Sequence, residues 1–207
     1  MTNLSKDKYY PVFQKFLPDR SAEYCYGLWK KHGFEFKIKR SRKTKLGDYR
    51  YDPRYKKHII SINNDLNPYA FLITYLHEVA HLLTYQKHKN RVAPHGTEWK
   101  NEFKQLTLPI LTPEVFPDDV IRAFARYMKN PKASSCSDPQ LLKALAPYDR
   151  VQGTFLSDLK ANELFDFQGR IFQVLEKKRT RYVCLEKKSN KKYLISGHAT
   201  IERVADH

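Results

Sequence analysis

His77, Glu78 and His81 are the residues of this chain whose types and spacing could do chemistry. They lie in the run Leu76-His77-Glu78-Val79-Ala80-His81-Leu82. On an α-helix, positions i and i+4 share a face about one turn apart, so both imidazoles can reach one ion. Glu78 falls roughly 100° further round the helix, which sets its carboxylate beside such an ion without making it a ligand. Three protein ligands and a water form the catalytic zinc arrangement, in which the glutamate takes a proton from that water.

The flanking residues supply the helix that this reading needs. Asn67 can cap it and Pro68 suits its first position, and from Tyr69 to Gln86 no Gly or Pro interrupts it. Leu72, Tyr75, Leu76, Val79, Leu82 and Leu83 recur at helical spacing over a broad face, which predicts a buried helix. Polar groups on such a helix must be satisfied, and a bound ion does that. The third ligand must come from elsewhere. Thr84 and Lys87 hold the places where metzincin proteases carry a glycine and a further histidine, so that class is excluded. His88 is two turns beyond His81, roughly 10 Å along a straight helix. His95 follows the loop 90–94 and precedes a helix expected from Thr97, with Thr97 as its cap. Glu98, in that second helix, is the rival ligand.

The pattern His77-Glu78-Val79-Ala80-His81, then His95-Gly96-Thr97-Glu98-Trp99-Lys100, resembles the SprT-like domain family, which includes the protease Spartan. Leu46-Gly47-Asp48-Tyr49-Arg50-Tyr51 and Ile59-Ile60-Ser61-Ile62-Asn63 extend the likeness upstream, and it covers roughly residues 5 to 130. The resemblance implies a zincin-type metallopeptidase fold, with His77, His81 and His95 as the ligands of one zinc ion per chain and Glu78 as the catalytic residue. It also implies a protein or peptide substrate on or near DNA. Many bacterial members carry a C-terminal zinc ribbon with paired cysteines. Here Cys184 stands alone, and with His198 and His207 it is the only candidate ligand after residue 150, so that ribbon is absent.

The whole chain is α+β in pattern. Helices are expected from Lys6 to Phe16, from Pro18-Asp19 to His32 with Gly33 as the stop, from Pro117 to Met128 and from Pro139 to Ala146. Tyr24, Leu28 and Trp29 suit the buried face of the second. Strands near 34–40, 46–51 and 58–63 make a small antiparallel meander ahead of the metal helix. From Asp149 the character turns to β, with strands at 164–167, 170–177, 180–186, 192–196 and 199–204. Phe165, Phe167, Ile171, Phe172, Val174, Tyr182, Val183, Tyr193, Leu194, Ile195 and Ile201 form its expected core. Two domains follow: 1–148, zincin-like, and 149–207, a small basic β domain.

The formal net charge is +16, with 38 basic against 22 acidic residues. Such a balance points to a polyanionic partner, DNA in the first instance. Lys37, Lys39, Arg40, Arg42, Lys43 and Lys45 crowd one stretch, with Tyr49, Tyr51 and Tyr55 following, a mixture that suits single strands. Lys177, Lys178, Arg179 and Arg181 cluster in the β domain, as do Lys187, Lys188, Lys191 and Lys192. Cys25, Cys136 and Cys184 are too few and too scattered for a disulfide framework. No apolar run approaches a membrane span and the first residues are no signal peptide, so a soluble, cytoplasmic protein is expected. A different class of reading fits the same features: a nucleic-acid-binding protein with a structural or regulatory zinc site and little turnover. Glu78 separates the two, since a structural site has no use for a glutamate beside its ligands and prefers four of them.

Overall fold

The structure, a computed structural model, describes residues 7–42, 44–132, 138–150 and 153–204. Lys43, Cys136 and His207 lie outside the described residues. The chain divides into two compact units, Met1–Arg150 and Val151–His207.

The first unit is built round a long helix, α3 (Pro68–His88), with α1 (Tyr10–Phe16), α2 (Asp19–His32), α4 (Thr97–Thr107), α5 (Asp118–Tyr127) and α6 (Pro139–Leu145). Its sheet holds β1 (Glu35–Lys39), β2 (Gly47–Asp52) and β3 (Lys57–Asn63). Residues all round α3 are buried, among them Leu72, Tyr75, Leu76, Val79 and Leu82, while Leu83 is half-buried. A helix apolar on every side belongs at the centre of a core. Asn67 caps it: its side chain accepts from the Ala70 N–H at 2.9 Å and donates to the Leu145 carbonyl and the Asp149 carboxylate. One residue thus starts α3 and ties it to the end of α6 and the segment that follows. Gly33, at φ 61°, closes α2 as its sequence position indicates. The buried side chains of α2 are Ser21, Ala22, Cys25 and Tyr26, while Tyr24, Leu28 and Trp29 are half-buried and pack against the same core, so the inward face is centred beside the one expected and includes its edge.

The sheet departs from an antiparallel meander. Its order is β1-β3-β2, with β1 parallel to β3 and β2 antiparallel to it. The reason is burial. Ile59 to Asn63 are buried on both faces of β3, and a strand of that kind needs neighbours on both sides. β1 and β2 carry charges at alternate positions and suit the edges. The link between them is held by Asn63, whose side chain donates to the Arg42 and Lys45 carbonyls and accepts from Arg42 Nε at 2.7 Å. α4 also starts differently: Gly96 occupies the cap position, and Thr97 is its first residue and makes no cap.

The second unit is a six-stranded sheet of order β4-β9-β5-β6-β7-β8, antiparallel throughout. Its strands are β4 (Thr154–Phe155), β5 (Leu164–Asp166), β6 (Ile171–Lys178), β7 (Arg181–Glu186), β8 (Lys192–Ser196) and β9 (Thr200–Arg203). Phe165, Phe172, Val174, Tyr182, Cys184, Ile195 and Ile201 form its core. Ile171 and Leu194 are not core: they are 37% and 51% exposed, and Val183 is only half-buried. Strand alternation explains this, because each directly adjoins a residue committed to the inner face. Glu186, buried beneath the β7–β8 turn, accepts from Arg170 Nε at 2.6 Å and from the Ser189 hydroxyl. The Arg170 guanidinium also stacks over the Phe172 and Tyr193 rings, 5.1 and 4.6 Å from their centroids. Among the described residues no helix is long and apolar enough to cross a membrane.

Candidate metal centre

α3 brings His77 and His81 onto one face, and the loop before α4 delivers His95 to them. The Nε2 atoms of His77 and His81 are 3.2 Å apart, as are those of His77 and His95. One ligand atom from each of the three lies within 4.8 Å of the others, and among the described residues no other group of this kind occurs. His95 holds the left-handed backbone, φ 58°, a conformation that costs a non-glycine residue energy and is concentrated at functional sites. Glu98, the rival ligand, is not in the cluster.

Three nitrogens aimed at one point repel unless something positive stands between them. Burial, reinforced by the neighbouring imidazoles, pushes His77 down to about 2; burial and His95 push His81 down to about 3, and burial lowers His95. All three are therefore neutral imidazoles, the form that binds metal. Nitrogens held at about 2.0–2.1 Å round a tetrahedral ion stand about 3.3 Å from one another, close to the 3.2 Å found between His77 and each of the other two. His77 Nδ1 is buried with no hydrogen-bond partner, so the trio cannot be explained as a self-satisfied polar network. The residues fit a metal ion.

Trp99 forms the floor. Its ring is fully buried, with centroids 4.6, 5.4 and 4.7 Å from those of His77, His81 and His95, and its Nε1–H donates to the His77 carbonyl at 3.4 Å. Phe103 stacks beneath it at 5.1 Å. Composition gives no hint of this role; in the sequence Trp99 is marked only by its place four residues after His95, in the run that carries the family resemblance.

Glu78 is 6% exposed and faces β2. Burial and then the Asp48 carboxylate raise it to about 8, while the Tyr49 backbone N–H, Arg42 and Lys45 draw it down. Gly47 makes this approach possible. A Cβ there would come within 2.6 Å of both Glu78 Oε1 and Thr74 Cγ2. Thr74 has a short, stiff side chain and cannot swing clear. No sequence signal distinguishes Gly47 from any glycine at the start of a strand.

The basic residues are treated unevenly by the fold. Arg42 is spent inside the sheet, on Asn63 and Ser61. Lys37 pairs with Glu35, Lys45 with Asp48 and Lys178 with Glu176. Lys39, Arg40, Lys177, Arg179 and Arg181 are exposed, with no acidic partner among the described residues. Tyr49 and Tyr51 face α3, packing with His58 and Tyr85, and only Tyr55 is open to solvent, 69% exposed. The expected mixture of rings and cations therefore does not form one surface.

A family model described as the SprT-like family matches residues 13–115, a stretch that contains all three histidines and Glu78. No curated protein and no solved structure matches the chain.

Proposed function

The chain belongs to the SprT-like family through residues 13–115, and on that premise we propose that it is a zinc-dependent metallopeptidase of zincin-like architecture. The observation that carries the reading is the convergence of three neutral imidazoles, with a buried glutamate directly after His77 on the same helix. His77, His81 and His95 would hold a zinc ion, which would supply Lewis acidity and lower the pKa of water to about 7. Glu78 accepts the proton of the attacking water and passes it to the leaving amine. Burial and the Asp48 carboxylate favour its protonated form, which suits the part of the turnover in which it carries that proton. A structural site would call for a fourth protein ligand, and the cluster has three members among the described residues.

β2 supports a peptide substrate. It is an edge strand, paired only with β3, and it runs beside Glu78. An extended chain can add to such an edge through main-chain hydrogen bonds, which suits cleavage of unfolded segments. The excess of positive charge favours substrates on or near DNA.

The test is Glu78→Gln in the zinc-loaded protein, assayed on a denatured protein and on a DNA-bound one. Zinc content should remain at one per chain while turnover falls by about 10²–10⁴-fold or more. Full activity in this variant excludes the mechanism.

A further inference from the structure

Beside the histidine cluster lies a cleft of about 240 Å³ that the hydrolytic chemistry does not use. His81 and His95 form its inner end. Tyr49 and Tyr85 supply rings to its walls, with the buried Trp99 behind them; Val92 and Pro94 line it from the loop before His95, and Thr84, Lys89 and Asn90 are its polar lining residues. Resting on the peptidase reading above, we propose that this cleft is the specificity pocket for the residue flanking the scissile bond, and that it selects an aromatic side chain and rejects Lys and Arg.

Size, chemistry and charge agree. A closed apolar cavity of about 150 Å³ holds a benzene ring, so this cleft accommodates a six-membered ring and its methylene. Its walls offer ring faces and edges, and aromatic pairs gain from tilted and edge-on contacts beyond simple burial. The walls are also fixed before a ligand arrives. Tyr49 is hydrogen-bonded to His58 Nδ1 at 2.9 Å, Tyr85 packs between Tyr49 and Tyr51 at 6.1 and 4.9 Å, and Trp99 is fully buried. Preorganised walls lose little entropy on binding. Lys89 lies with its Nζ 5.3 Å from the Tyr85 ring centroid, so a cationic side chain entering the cleft meets a like charge. Because the cleft begins at two metal-binding side chains, its occupant sits next to whatever bond reacts there.

The experiment uses the full-length zinc-loaded protein and hydroxamate probes, which bind metal and present one side chain each: benzyl, methyl or aminobutyl. Direct titration is read alongside the cleavage profile of a randomised peptide pool. The benzyl probe should bind at least about tenfold more tightly than the methyl probe, and the aminobutyl probe most weakly. Val92→Trp, which fills the cleft, should remove the benzyl preference, and Lys89→Glu should relieve the discrimination against aminobutyl. Equal binding of benzyl and methyl, or no binding of any probe to protein that holds zinc, overturns the proposal. Probe discrimination without peptide cleavage supports the pocket and sinks the peptidase reading. Cleavage with no aromatic preference at either flanking position does the reverse.

Discussion

Trp99 places one indole under three imidazoles and so packs against every candidate metal ligand. Outer contacts of this kind typically govern metal affinity by about 10–100-fold. Trp99→Ala should weaken zinc binding by that factor in a chelator competition, whereas Trp99→Phe, which keeps a ring, should lose much less; equal affinities for Ala and wild type would contradict the assignment. In the second unit, Arg170 and then Ser189 hold the Glu186 carboxyl at about 2, below the ordinary 4.5. A depressed carboxylate contributes stability that is present above the unfolded value and is lost as pH falls from about 4.5 toward 2. Glu186→Gln should therefore flatten the acid dependence of unfolding over that window, followed through amide signals of β6 and β7. At this scale the sequence shows the residues that must share a helix turn. The i, i+4 histidines can be found that way, because helical geometry is local. The contacts of Trp99 with His77 and His81, and of Gly47 with Glu78, cannot, because those partners lie 18 or more residues away in the chain.

Among the elements, α3 is the most legible, since its cap, its first-turn proline and its unbroken apolar pattern all agree. Asn67→Ala removes the cap and leaves the Leu145 carbonyl without its donor. A lost cap costs about 1 kcal/mol and a buried unsatisfied acceptor about 1–3 kcal/mol, so a destabilisation of about 2–4 kcal/mol is expected in denaturant titration. A change below about 0.5 kcal/mol would show that the contacts to Leu145 and Asp149 carry no weight. The strands are less legible than the helix. Their positions follow from alternation, but alternation says nothing about which strand lies in the middle. Continuous burial of Ile59 to Asn63 decides that, and it depends on what covers both faces. In the β domain the same limit sends Leu194 to the surface, where the sequence shows only another apolar residue.

For the molecule as a whole, charge is readable from composition while its usable distribution is not. Arg42 counts toward +16 yet serves as a bracket for the sheet. The cations most available to a polyanion are those at Lys39 and Arg40, and at Lys177, Arg179 and Arg181. If DNA is the partner, affinity should fall linearly in a log–log plot against salt, by about 0.9 per phosphate engaged. Reversing Lys177, Lys178, Arg179 and Arg181 together should lower that slope by up to about 3.6 if each engages one phosphate. An unaltered slope would remove the β domain from the interface.

The order β1-β3-β2 also dictates a sequence of events. β2 and β3 adjoin through the short turn 53–56 and can zip together as a hairpin on the microsecond scale. β1 must wait for β3 to exist, because its parallel partner lies beyond β2 in the chain and the intervening loop has to be closed first. The strand made first in translation is thus the last to find its place in the sheet. In pulse-labelling during refolding, amides of β1 should gain protection after those of β2 and β3, and until then the flank of β3 is an open edge to which another chain can add.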